Sequence, residues 1–419
     1  MGFQHGLSGL SAASTNLDVI GNNIANANTA GFKQSEAQFT DIFANSLGGS
    51  GSSHVGIGSR VSTIAQAFNQ GNISPTSNPL DIAINGQGFF RMNEGGVISY
   101  SRNGQFRVDG NGFLTDANGA NLTGYMADTT GNIVASQPTN LKLSTSDLAP
   151  QITSTYSMSF NLDSRKDLPA VAVFDANNAN SYSSTTSGTI IDSLGNSHIL
   201  SIYFQKSAAN TWNTYATVDG KVDAAGLPDG VTLGGAASQA LTFNGTGTLT
   251  SPTTPIAVSV DWTAINPTLG AASPLDFSLD LTTATQYGSD FGVNSISQDG
   301  FTSGRLAGFT TAADGVIQGS YSNGQTRTLG QIVLANFINP QGLNPVGDGR
   351  WVETPNSGQP LVGPPKSGTL GALQASAIED ANVDLTTELV KMITAQRMYQ
   401  ANAKSIETQD AVLQTLVNL

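Results

Sequence analysis

Apolar stripes at helical spacing occupy both ends of this 419-residue chain, and the long stretch between them has none. At the N-terminus Phe3, Leu7, Leu10, Ser14, Leu17, Gly21 and Ile24 follow one another at alternating steps of four and three. At the C-terminus Leu385, Leu389, Met392, Gln396, Tyr399, Ala403, Ile406, Asp410, Leu413 and Val417 do the same. That alternation holds one seam along a helix, as in a coiled coil. Ser14 and Gly21 interrupt the first seam, and Gln396 and Asp410 the second. Polar seam residues weaken helix pairing but set its register and the number of partners. Each buried leucine contributes roughly 1.5–3 kcal/mol. Seams so interrupted therefore suit copies held side by side better than one isolated pair. Phe3, Leu7, Leu10, Leu17, Ile24, Leu385, Leu389, Met392, Gln396, Tyr399, Ile406, Leu413 and Val417 are the candidate polymerisation residues.

Between the stripes the pattern changes to strands. The first helix is expected over about 3–28, with Ala30-Gly31 ending it. Residues 34–77 form a connector whose core, Gly48-Gly49-Ser50-Gly51-Ser52-Ser53, is flexible by composition. Its apolar residues, Phe39, Ile42, Phe43, Val55, Ile57, Val61, Ile64 and Phe68, point to packing on something. Leu80, Ile82 and Ile84 then alternate with polar or small residues. Asn85-Gly86, Asn103-Gly104 and Asp109-Gly110 mark turns, because Asn, Asp and Gly tolerate positive φ. Met158, Phe160 and Leu162 alternate, and Ser193–Ser197 separates two strand-like runs. The last helix is expected to begin at Asp384, a fitting N-cap. It runs to about residue 416, on the order of 45–50 Å.

The order helix, β, helix predicts a mainly β fold with paired terminal helices. One reading nests the segments. Residues 1–33 with 378–419 form a helical coiled-coil domain, and 34–77 the connector. Residues 78–148 with 296–372 form an inner β domain, and 149–295 an outer β domain inserted into it.

Composition removes several classes of function. The net charge is −13 and only 11% of residues are charged. Nucleic-acid binding needs clustered Lys and Arg, so no nucleic acid is expected as a partner. With no cysteine there is no disulfide, thiolate metal site or thiol nucleophile. No apolar run approaches the ~20 residues of a membrane span, and residues 1–10 lack the pattern of a cleaved signal peptide. His5, His54 and His198 have no ligand spacing. Asp109-Gly110-Asn111-Gly112 starts like a calcium loop but lacks its later ligands, and reads as a turn. Gly86-Gln87-Gly88 opens no helix. No enzyme, cofactor or small-molecule substrate is expected. A catalytic reading survives only as an unseen site within 150–295.

Several segments resemble the bacterial flagellar rod and hook proteins. Leu17-Asp18-Val19-Ile20-Gly21-Asn22-Asn23-Ile24-Ala25-Asn26, followed by Thr29-Ala30-Gly31-Phe32-Lys33, is similar to their N-terminal signature, with Asn22, Asn23, Asn26, Gly31 and Phe32 as motif residues. Pro79–Ile84 with Gly86–Phe90, and Tyr100–Phe106, resemble the β-hairpins that follow. Glu388–Val390 through Ala395–Asn402 resembles the closing helix. Gly330–Phe337 and the large insertion point to the hook branch, and the distal rod-type subunit is the alternative.

The resemblance implies a homopolymeric tube with terminal helices innermost and β domains outward, a flexible universal joint that passes torque to the filament. It implies rod, hook-cap and hook–filament junction proteins as neighbours. It also implies type III export without a cleaved signal peptide, and an extracellular place in the flagellum.

Overall fold

The alternating middle of the chain builds strands, and the computed structural model pairs strands that lie far apart in sequence. It describes residues 2–42, 56, 58–128, 130–144 and 146–417. The chain forms two compact units. One comprises Met1–Thr145, Ala307–Ser320 and Thr326–Leu419; the other comprises Ser146–Leu306 and Tyr321–Gln325.

In the first unit an early and a late segment share one sheet. Met126 is opposite Gly330, Phe90 opposite Leu334, and Ser101 opposite Arg350, all antiparallel. The sheet path runs from Leu306–Thr311 through Val316–Tyr321, Thr326–Ile332, Asn121–Met126, Phe89–Glu94, Val97–Ser101 and Arg350–Val352 to Asn344–Gly347. Its core gathers Ile82, Ile84, Phe90, Met92, Leu122, Leu141, Ile332 and Leu334, all fully buried. A smaller aromatic core, Phe89, Tyr100, Phe337 and Trp351, takes Phe68 of the connector against it. The rings meet edge to face at 4.7–6.0 Å, the favoured arrangement for aromatic pairs.

The connector departs from a loop. Ser35–Ile42 and Gly58–Gln66 pair antiparallel with a bulge at Gln38/Phe39, and Ile73–Pro75 pairs with Ala377–Glu379. Phe39, Val61 and Ile64 thus lie on a hairpin. The Gly48–Ser53 core, with Phe43, His54, Val55 and Ile57, lies outside the described residues.

The second unit is a sandwich. A six-stranded sheet holds Thr155–Asp163 at its centre, and a five-stranded sheet runs Ser184–Ile191, Ser197–Ala208, Thr211–Val218, Gln239–Phe243, Leu249–Ser251. Both sheets feed one core, including Phe160, Phe204, Trp212, Trp262 and Phe277. The alternation at Met158, Phe160 and Leu162 is the inward face of its strand. Trp212 Nε1–H donates to Gln286 Oε1 at 3.1 Å, which satisfies the buried indole. His198 is a buried structural residue: Nδ1 lies 2.7 Å from Asp219 Oδ2 and the ring packs on Trp262.

One local device recurs in both units. A carboxylate or amide oxygen opens a tight turn by accepting two backbone N–H groups, two and four residues on. Asp109, Asp116, Asp128, Asp192, Asp223 and Asn244 all do this. Gly supplies the left-handed residue that closes most of them, as at Gly112, φ 88°. Five of the 30 acidic residues thus serve turns of this kind.

These bonds favour the ionised carboxylate. The Asp128 pKa falls through bonds from Thr130 and Asn132. Asp163 is held at about 2, first by the Arg165 side chain, whose Nε and Nη2 meet its two oxygens at 2.9 and 3.0 Å. A depressed folded pKa contributes stability above the unfolded value, near 4, and that contribution is lost as pH falls toward the folded value. Melting of the full chain, followed by circular dichroism, is expected to drop between about pH 4 and about pH 2. Asp163→Asn should lower the midpoint at neutral pH and flatten part of that drop.

Candidate assembly surface

Two helices with large apolar seams could bury those seams against each other; here the N-terminal helix turns a different face, and of the C-terminal seam Ile406 enters the contact. The N-terminal helix, Gly2–Ala25, turns small residues toward the C-terminal helix, Leu385–Val417. A Cβ added at Gly6 would lie 2.7 Å from Ile406 Cγ1, and one at Gly9 2.8 Å from Asn402 Oδ1. Glycine at both positions permits this close approach. Buried on the N-terminal helix are Gly6, Ala12, Ala13, Val19, Ile20 and Asn23.

The predicted seam residues are left largely open in the single chain. Phe3 and Leu7 are 47% and 53% exposed, and Leu10, Leu17 and Ile24 are half-buried. On the other helix Leu385, Leu389, Gln396, Tyr399 and Leu413 are exposed, while Met392 and Ile406 are half-buried. Val417 ends that helix, and its side chain lies outside the described residues. Val390, Ile393, Met398 and Val412, off the seam, are exposed as well. Two adjoining depressions of about 350 and 330 Å³ run between the helices and the hairpin, sharing Asn16, Phe39 and Met398 in their walls. Apolar exposure on this scale marks an interaction surface.

Beneath this surface a buried polar junction fixes both helices to the β core. Glu379 lies at its centre, with no side-chain exposure. Its Oε1 accepts from Lys33 Nζ at 2.6 Å and from the Gly71 N–H at 2.9 Å, and its Oε2 from Arg102 Nη1 at 3.1 Å. Its backbone carbonyl accepts the Gly31 N–H at 2.7 Å. Burial lowers the pKa of both Lys33 and Arg102, and Glu379 opposes that by favouring their charged forms.

A second buried carboxylate, Glu388, ties the helices to each other. Oε2 accepts from Asn23 Nδ2 at 3.2 Å, and Oε1 from Gln34 Nε2 and Lys391 Nζ, each at 2.7 Å. Asn23 also exchanges two bonds with the Ser35 backbone, at 2.8 and 2.9 Å. Asn382 bridges the Gln34 N–H to the carbonyls of Ala67 and Asn69. Asp384 caps the last helix, accepting from the N–H groups of Thr386 and Thr387.

The motif residues divide accordingly. Asn23 and Gly31 belong to the junction. Asn26 bonds back to the Asn22 carbonyl at 3.0 Å and accepts from Thr29 Oγ1, closing the helix end, with Asn22 exposed and Phe32 half-buried. Gly31 has φ 71°, and a Cβ there would lie 2.5 Å from the Arg102 carbonyl carbon. Helical periodicity misses Glu379, Asn382 and Gln34, because none lies on a stripe. The available signal was scarcity: few residues in this chain are charged, so a lone Lys or Glu beside an apolar segment is notable. Among the described residues no cluster of His, Asp and Glu could hold a metal ion.

Removing one partner of a buried ion cluster strands the others, so Glu379→Gln is expected to cost about 3–5 kcal/mol in urea unfolding of the full chain. Gly31→Ala should cost more than about 1 kcal/mol, through positive φ and the Arg102 clash. Unchanged midpoints would refute the junction.

Four family profiles match the chain. "Flagella basal body rod protein" covers residues 3–33, and "Flagellar hook protein FlgE/F/G D1 domain" covers 83–146. "Flagellar basal body protein FlaE D2 domain" covers 161–301, and "Flagellar basal body rod FlgEFG protein C-terminal" covers 374–419. The chain is 43% identical to a flagellar hook protein FlgE of Escherichia coli K12 and 42% to that of Salmonella typhimurium LT2, over 100% of each chain. It is 34% identical to that of Borreliella burgdorferi, over 99% of this chain and 98% of the relative. Its fold is similar to a crystal structure of Helicobacter pylori flagellar hook protein FlgE2, with a TM-score of 0.52 at 14% identity, covering 73% of this chain and 100% of that one.

Proposed function

The chain belongs to the flagellar hook protein family, and on that footing we propose that its copies assemble through the terminal helices into the flexible tube that joins rod to filament. It is a structural subunit of the flagellar hook, mainly β with helical termini, and a component of a polymeric flagellar assembly. The observation that carries the assembly reading is the open seam. Phe3, Leu7, Leu385, Leu389 and Tyr399 stay exposed while small residues and buried carboxylates make the contact within the chain. A chain that needed these leucines for itself would bury them.

The proposal includes the nested division of the chain, with the terminal helices as the inner wall of the tube and residues 149–295 as an outer domain. It includes rod, hook-cap and junction proteins as neighbours. Type III export and an extracellular position belong to it too, as does a purely mechanical, non-catalytic role. Bending is assigned to sliding between uncharged β surfaces. With 11% of residues charged, few ion pairs can lock neighbours into one register.

Electron microscopy of the purified, polymerised chain tests this reading. Curved tubes are expected; short straight tubes would favour the rod-type alternative, and no tubes would refute assembly. Leu7→Asp or Leu389→Asp should abolish tubes while leaving the circular dichroism of the unassembled chain unchanged, since neither side chain is buried within it.

A further inference from the structure

Pairing of the terminal helices leaves one side of each turned outward, and each of those sides carries a single unpaired charge. Asp18 is the only acidic or basic residue, histidine apart, of the helix Gly2–Ala25. It is exposed, and it follows Gly9, which abuts Asn402, by nine residues, about two and a half turns. It therefore lies on the side away from the C-terminal helix, together with Leu7, Ser11 and Ser14. On the C-terminal helix the exposed Arg397 follows Glu388, which bonds Asn23, by the same nine residues. It too lies on the side away from its helix partner. Val390 and Ile393, 59% and 51% exposed, flank it there. The other charges of this helix are engaged: Glu388 with Lys391, Lys404 with Glu407, and Asp410 with Gln414. Among the described residues neither Asp18 nor Arg397 has an ion-pair or hydrogen-bond partner.

We propose that Asp18 of one copy pairs with Arg397 of the next, the outward side of the N-terminal helix lying on the outward side of the neighbour's C-terminal helix. The proposal rests on the assembly reading above and names its contact. The choice of partner follows from the local charges. Two N-terminal helices in contact would bring Asp18 toward Asp18, and two C-terminal helices Arg397 toward Arg397, and like charges across an interface exclude a partner. The unlike pairing alone joins opposite signs. It is also head to tail: a joined pair keeps one free Asp18 and one free Arg397, so further copies can add, as an open helical polymer requires. The hairpin Ser35–Ile42 with Gly58–Gln66 carries both signs, Glu36 and Asp41 against Arg60, and sets no such direction. An exposed ion pair adds little affinity. Its part here is to select which helix meets which, while Leu7, Val390 and Ile393 supply the apolar contact.

A charge swap in the full-length chain tests this, read as the lowest concentration at which tubes sediment. Asp18→Arg and Arg397→Asp, each alone, should raise that concentration about tenfold or more, because each sets like charges against one another. The circular dichroism of the unassembled chain should stay as in the wild type, since neither side chain has a partner within it. The double variant, Asp18→Arg with Arg397→Asp, restores the pair in reverse and should recover most of the loss. Asp18→Arg with Arg60→Asp should not. Single variants that assemble at the wild-type concentration overturn the proposal. So does a double variant no better than the singles, which would mean that both charges matter but not to each other. Recovery with Arg60→Asp instead would move the contact to the hairpin and overturn the helix pairing. All three outcomes leave the assembly reading standing, because tubes form. A wild-type chain that forms no tubes overturns that reading, and this pair with it.

Discussion

The bonds made by Glu379 are the constraint on which the rest of this subunit depends. Its two oxygens and its carbonyl hold Lys33, Arg102, Gly71 and Gly31 together, which are the end of the N-terminal helix signature, the inner sheet and the connector. A buried ion cluster of this kind is a poor source of net stability, because desolvation offsets most of its attraction. What it gives is a single geometry. Any other alignment of the strand Ala377–Glu379 would leave a charge buried and unpaired. Glu388 repeats the logic one step later, joining Asn23 to the start of the C-terminal helix.

Because polar bonds and small residues settle the helix pair, its leucines need not. The Gly6–Ile406 and Gly9–Asn402 approaches bring the helices close and leave Phe3, Leu7, Leu385 and Leu389 outside. This separation of tasks suits a polymer subunit. One set of contacts keeps a register within the chain, and another, apolar and adaptable, remains for neighbours. The groove between helices and hairpin, walled by Phe39 and Met398, extends that surface onto the connector.

The fold class was legible because its signals are periodic. Steps of four and three marked the helices, alternation at Met158, Phe160 and Leu162 marked a sandwich strand, and Asp384 marked a cap. The hairpin within 34–77 was not legible. Its strands are short of apolar alternation, and Gly and Ser between them suggested a loop. The junction was hidden for a different reason. Lys33, Arg102 and Glu379 are brought together by strand pairings between distant segments, and no local pattern encodes such a meeting. Periodicity marked the seams as stripes but could not say which face the two helices would turn to each other. The small face won because glycines allow a shorter distance between the helices than leucines do.

The central claim is that the exposed leucines of the seams face other copies, while the small face of the N-terminal helix belongs to the chain itself. Because the protein has no cysteine, single substitutions can report on each face without background. Maleimide labelling of Leu389→Cys and Ala395→Cys, before and after polymerisation, is the direct measurement. Cysteine at position 389 should react readily in the unassembled chain and become protected in tubes, while at 395 it should be protected in both. Equal reactivity at position 389 before and after assembly, or a readily labelled 395 in the unassembled chain, would contradict the account.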